Sequence, residues 1–452
     1  MAAAIPMIVG AAASAALPAG LAATTLFAGI TVGAAVSTGV SLVVGSAMAR
    51  REQKKASAAA AASARAAALA SLKDVQATVR SATAPTQTLY GRVLVGGVIP
   101  FWFTNGDVGQ FHHWAQVLAA HPVDGVDAWY INEELVTVDG SGWVTTPKFC
   151  RGGTTPLIRV RLYDGTQTSL DGDILAASAG ALASGDCARG KAWVAVRFEA
   201  DYDVFGQIGA PSIRCVVRGK KLFDPRTGLT VFSDNAALAV RDYLLGQHGL
   251  RCTSAEVNDT DLIAAANVCD EAVALAGGGS QARYTVNGAL SADKGLKDNL
   301  ESLVDAMAGM AVWSQGQWRV QAGAHQTPVR TLTESDVQQV EDLLAYTPRR
   351  ELFNTVTGTF VDPASLYAER QYPIVTNATY VAADSGQTIE RQINQPLVND
   401  ATRAQRLAKI EIERARQAVT VSLLCKWTAY DLTPGDHVAL NLARYGWAGK
   451  VF

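Results

Sequence analysis

No Asp, Glu, Lys, Arg or His occurs between Met1 and Ala49. So long an uncharged, largely apolar stretch cannot remain in water, so lipid, the body of the protein or copies of itself must shelter it. A secretory signal needs a positive start and a short apolar core. Here the α-amino group is the one positive charge, the apolar run is too long, and Pro18 divides it. As one helix, Ala19–Met48 would extend about 45 Å, against a hydrocarbon core of roughly 30 Å. Arg50, Arg51, Lys54 and Lys55 would then mark one interface. Gly20, Gly29, Gly33, Gly39 and Gly45 interrupt the stretch, and Gly29 with Gly33 forms G-x-x-x-G, which lets helix backbones approach closely. A membrane anchor and a helix packed inside an oligomer both fit this composition. The residues expected to carry such packing, within a helix over 20–48, are Leu21, Leu26, Phe27, Gly29, Ile30, Gly33, Val36, Val40 and Val43. Ala56 to Thr83 is Ala-rich and helix-prone, with Leu69, Leu72, Gln76 and Val79 roughly on one face and Pro85 ending the pattern.

From Leu89 onward the pattern becomes that of strands. The whole chain has 452 residues, too many for one core of ordinary size, and 40 of them are Gly, which suits a body with many turns. Leu89–Phe103 is β-branched and aromatic with a Gly-Gly interruption, predicting two strands or one bulged strand. Pro156–Thr166 alternates, with Ile158, Val160 and Leu162 opposite Arg159, Arg161 and Tyr163. Lys191–Tyr202 and Pro211–Gly219 read as further strands. A helix follows, capped at Ser233 or Asp234 and stopped at Gly246; another starts near Thr260. The strongest helical pattern spans Asp293 to Met310, where Leu296, Leu300, Leu303, Val304 and Met307 share a face. Ala311–Gly323 predicts a hairpin turning at Ser314–Gln317, and Thr402–Gln417 a charged helix before the final strands. The expected fold class is mainly β with α (α+β) and multi-domain. The boundaries are 1–50 for the apolar segment, 51–88 for a helical linker, 89–232 for a β-rich domain, 233–345 for an α+β domain and 346–452 for a second β-rich domain.

Chemistry is sparse. The net charge is −2, so no global basic field points to nucleic acid. Cys150, Cys187, Cys215, Cys252, Cys269 and Cys425 lack metal or C-x-x-C spacing and read as unpaired thiols of a reducing compartment. Adjacent His112 and His113 would face opposite sides of a strand, which argues against a shared metal. Gly185–Ala192 matches G-x-x-x-x-G-K, but Ala192 replaces the Ser or Thr, and a strand pattern follows where a phosphate-binding loop needs a helix. The Asp224-Pro225 loop is read as a structural strand-to-helix turn. The acidic pairs Asp201/Asp203 and Glu133/Glu134 have no pocket context. The expectation is a protein without enzymatic activity, catalytic residues, bound metal or cofactor.

An ordered series of segments carries a resemblance over Leu89 to Phe452. It includes YGRVLVGG, AAHPVDGVDAWYINEE, RGKAWVAVRFEAD, VVRGKKLFDPRTG, FSDNAALAVRDYLL, YTVNGALSAD, LVDAMAGMAVWSQGQWRVQAG, FNTVTGTFVDP, AQRLAKIEIERARQ and LTPGDHVALNLARYGWAGKVF. Together they resemble the phage tail hub or tip attachment family (lambda J-type) of long non-contractile tails. The resemblance implies a structural homotrimer with β-barrel-like hub domains at the distal tip of the tail, part of the virion and assembled in the host cytoplasm. It implies contacts with distal tail and other tip proteins and with the tape-measure protein, roles in host attachment and DNA delivery, and no sequence-specific nucleic-acid binding. The apolar start lies outside the family motifs and is expected to plug the lumen and later to meet the host membrane. The last strand is expected to belong to a domain continuing past Phe452. A receptor-binding tail protein and a tip-associated cell-wall hydrolase are the alternatives.

Overall fold

The computed structural model describes residues 84–452 apart from 107–108, 206–209 and 418, together with the backbone at 25–27, 30–31 and 79–80. The described chain is mostly β with a few helices.

Two sheets pack face to face to form the first core. One has five strands, in the order Ile158–Tyr163, Ala192–Glu199, Phe111–Ala119, Val98–Asn105 and Val79–Arg80; only the last joins in parallel. The other has four antiparallel strands, in the order Arg92–Val95, Ile213–Arg218, Gly125–Ile131 and Glu134–Val136. Successive side chains in a strand point to opposite faces. Ile158, Val160, Val194, Val196 and Trp114 therefore enter the core between the sheets, where they meet Val93, Val95, Ile213, Cys215 and Val217. The alternation expected in Pro156–Thr166 is present, with Arg159 and Arg161 on the outer side. A short helix, Gly172–Ala177, covers part of that outer face with Ile174, over Ala115, Trp193 and Ala195. Neither sheet closes into a barrel: among the described residues every sheet is an open ladder.

The second core gathers the helices Ala236–Leu245, Asp259–Asp270, Leu296–Asp305 and Ala401–Arg416 around Tyr284, Val286, Met307, Val320 and Phe353. The hairpin Met310–Ser314/Gln317–Gln321 turns where expected. A smaller cluster of Leu332, Leu440 and Leu442 lies under the strands Arg330–Thr333, Val438–Leu442 and Trp447–Val451 and the ribbon Val337–Leu344/Thr420–Cys425.

Local chemistry corrects several expectations. The first of these helices is capped by Asn235, not Ser233 or Asp234: its side chain accepts from the N–H groups of Ala237 and Leu238 while its amide donates to the carbonyl of Ala266, 3.0 Å away. The Asp293–Met310 helix is shorter, Leu296–Asp305, and Leu296 in its first turn is half exposed. It stops because Ala308 is left-handed (φ 48°) and the N–H of Gly309 returns to the carbonyl of Val304, a Schellman-type closure. Leu89–Phe103 forms parts of three strands, broken at Gly91 and again at Gly96-Gly97.

Two further corrections concern the N-terminal part. The described backbone at Thr25–Phe27 and Ile30–Thr31 is an antiparallel pair rather than helix, consistent with the strand preference of Thr, Phe and Ile. Leu26, Phe27 and Ile30 fall on these strands. Leu21, Gly29, Gly33, Val36, Val40 and Val43 lie outside the described residues. Val79, expected on a helix, is extended and pairs in parallel with Val98.

Candidate functional site

The features singled out in the sequence are scattered, and most are held by structural contacts. His112 and His113 do face opposite sides of their strand: His112 Nδ1 accepts from Trp102 Nε1 at 3.1 Å, and His113 Nε2 meets Asn105 Oδ1 at 3.2 Å. No group of three or more His, Cys, Asp or Glu among the described residues is arranged to hold a metal. Gly190 is a left-handed turn residue (φ 80°) and Ala192 begins a strand, so Gly185–Ala192 has no helix N-terminus to offer a phosphate. Asp224-Pro225 turns one strand, Lys221–Asp224, into another, Leu229–Phe232, and does not lead into a helix. Asp224 accepts from the backbone N–H and guanidinium of Arg226, which holds its carboxyl below the usual range. Asp201 is paired with Arg151, Glu134 with Lys148 and Glu133 with Arg214. The six cysteines are free thiols, with Cys150, Cys187, Cys215 and Cys269 buried. No described helix is long and apolar enough to cross a membrane.

What the structure does assemble is a seam at residues 87–95, which no motif announced. Strand Gln87–Tyr90 pairs with Gly288–Ser291 of the helical region, and Arg92–Val95 pairs with Ile213–Arg218 of the sandwich. Its side chains divide among three cores. Leu89, Val93 and Val95 enter the sandwich, Tyr90 enters the helical core, and Leu94 packs with Val216, Val361 and Tyr367. Gly91 permits the crossing: at φ 63° it suits the chain, and a Cβ there would overlap the carbonyl oxygen of Val286 and the Asn287 side chain.

Polar groups lock the seam. Tyr90 Oη donates to Asp242 Oδ2 at 2.7 Å, which also accepts from Lys220 Nζ at 2.8 Å. Burial, then the Asp242 charge, pushes the Tyr90 phenol well above its ordinary value. The N–H of Arg92 donates to Asn287 Oδ1 at 2.8 Å. The N–H of Leu89 donates to His121 Nε2 at 2.8 Å, so the ring proton sits on Nδ1 and faces the carbonyl of Pro122 at 2.7 Å. Burial lowers the His121 pKa to about 4, leaving the ring neutral at physiological pH. The polar groups of the seam are neutral or paired, and they tie this strand segment to the cores it serves.

Residues 296–450 match the family model described as "Putative phage tail protein". No curated protein matches the chain. The fold is similar to that of a chain in a structure titled "Virion of native gene transfer agent (GTA) particle". The identity is 16%, each chain is covered over 81% of its length, and the TM-score is 0.54. A 43 kDa tail protein of prophage MuSo2 from Shewanella oneidensis also matches. It is 10% identical over 82% of this chain and 92% of the other, with a TM-score of 0.28, too low to bear on the fold. The family match supports a phage tail structural protein.

Proposed function

We propose that this chain is a tail tip hub: a structural subunit that continues and closes the distal end of a phage tail tube as a homotrimer. The family match over residues 296–450 carries the reading. Fold likeness to a virion chain over 81% of each is in keeping with it. The locked seam at residues 87–95 suits a part that transmits force between its lobes without chemistry. In this reading the protein is not an enzyme. It contacts the distal tail and tape-measure proteins, takes part in host attachment and DNA delivery, and its open sheets complete a barrel-like layer between copies. Residues 1–49, uncharged throughout, seal the lumen. A reconstruction of intact particles carrying a tagged chain tests this. Three copies around the tail axis at the distal end are expected. One or six copies, or a position along the tube wall, would overturn the assignment.

A further inference from the structure

The outer face of the five-stranded sheet carries a row of two arginines and a histidine that the hub reading does not use. Arg159, Arg197 and His113 are in register on three adjacent strands. Their sequence neighbours Val160, Val196 and Trp114 line the sandwich core, so these three side chains stand on the opposite face. Like charges directly opposed on a sheet repel. Arg159 is compensated, since Nη1 donates to Asp173 Oδ2 at 3.2 Å and Nε to the carbonyl of Ser141 at 3.0 Å. Arg161, one step along, donates to Asp171 Oδ2 at 2.8 Å.

Arg197 has no carboxylate and no hydrogen-bond acceptor among the described residues. It is held instead by rings, with Phe111 4.8 Å and Trp143 5.2 Å from its guanidinium carbon, and Trp143 lies 5.2 Å from Arg159 as well. Ring contacts supply no oxygen acceptor, so the guanidinium keeps its N–H donors in the fork geometry that matches an oxyanion. Beside it His113, 4% exposed, keeps Nδ1 buried without a hydrogen-bond partner. Burial lowers the pKa of the ring, and with Nε2 donating to Asn105 Oδ1 the Nδ1 nitrogen is an acceptor, so the ring flanks the site without adding charge to it. Three arginines against two aspartates leave the row with one surplus positive charge.

We propose that this row is an oxyanion-binding site, with the edge of Arg197 gripping a carboxylate or phosphate group and Arg159 beside it. Ion pairs already fill the space between Arg159, Arg161, Asp171 and Asp173, so the anion sits at the Arg197 edge. A bidentate contact there gives the free fork its partner and relieves the repulsion between Arg159 and Arg197.

The full chain is titrated with sodium phosphate and, separately, sodium acetate, against sodium chloride at the same ionic strength. The thermal midpoint and the His113 ring resonances are followed. A saturable shift beyond that of chloride is expected, weakened at least tenfold in Arg197→Gln and less in Arg197→Lys, which keeps the charge but loses the fork. Response to acetate alone identifies a carboxylate, to phosphate alone a phosphate, and to both the chemistry they share. No response beyond chloride, a response unchanged in Arg197→Gln, or Arg197→Lys binding as tightly as the natural protein would overturn the site.

Discussion

His121 makes the stability of the seam depend on pH, and the size of the effect follows from its surroundings. The ring is 5% exposed, accepts from the Leu89 N–H and has a pKa lowered to about 4 from an ordinary 6.5, with burial as the main cause. Between those two values the unfolded chain binds a proton that the folded chain refuses. Stability therefore rises with pH across this window: the contribution is complete above 6.5, is lost as pH falls towards 4, and changes no further below it. A shift of about 2.5 units at about 1.4 kcal/mol per unit sets the full effect at about 3 kcal/mol. In His121→Gln the amide oxygen can accept from Leu89 and the amide N–H can face Pro122, but no titration remains. Urea unfolding of both proteins at constant salt, from pH 7.5 to 4.5, isolates the term from the carboxylates they share. The natural protein is expected to lose about 2.5 kcal/mol more than the variant over this range. Parallel curves, or a His121 resonance titrating near 6.5 in the folded protein, would refute the reasoning.

Gly91→Ala combines a left-handed backbone with an overlap against Val286 and Asn287, so a loss of at least about 2 kcal/mol is expected by denaturant midpoint; a neutral result would show that the seam can open without cost. Leu303, fully buried in the helical core, is expected to cost about 2–5 kcal/mol when replaced by Ala, by the same measurement. Replacing Val36 and Val40 together with Asp is expected to block particle assembly, while circular dichroism of the purified chain keeps the signature of the β-rich body; normal, infectious particles would remove the lumen-seal reading.

Local pattern alone makes parts of this fold legible. The alternation of Ile158, Arg159, Val160 and Arg161 shows which side of a strand is buried, because strand geometry imposes a period of two. The turn at Ser314–Gln317 and the helix Ala401–Arg416 are equally readable, since their signals lie within a few residues of one another. The same logic places His112 and His113 on opposite faces and sets aside the phosphate-loop match at Gly185–Ala192. Tertiary structure decides the rest. That residues 87–95 serve three cores depends on pairing with residues some 120 and 200 positions away, and no local period records such partners. Along the chain His121 is only a residue before a proline; burial against Leu89 makes it a silent base. Arg197 becomes an arginine held by rings rather than by a counter-charge only once Phe111 and Trp143, distant in sequence, are folded against it. Sequence carries the periodicity that chooses a face; only the fold, by bringing remote segments into register, determines what that face meets.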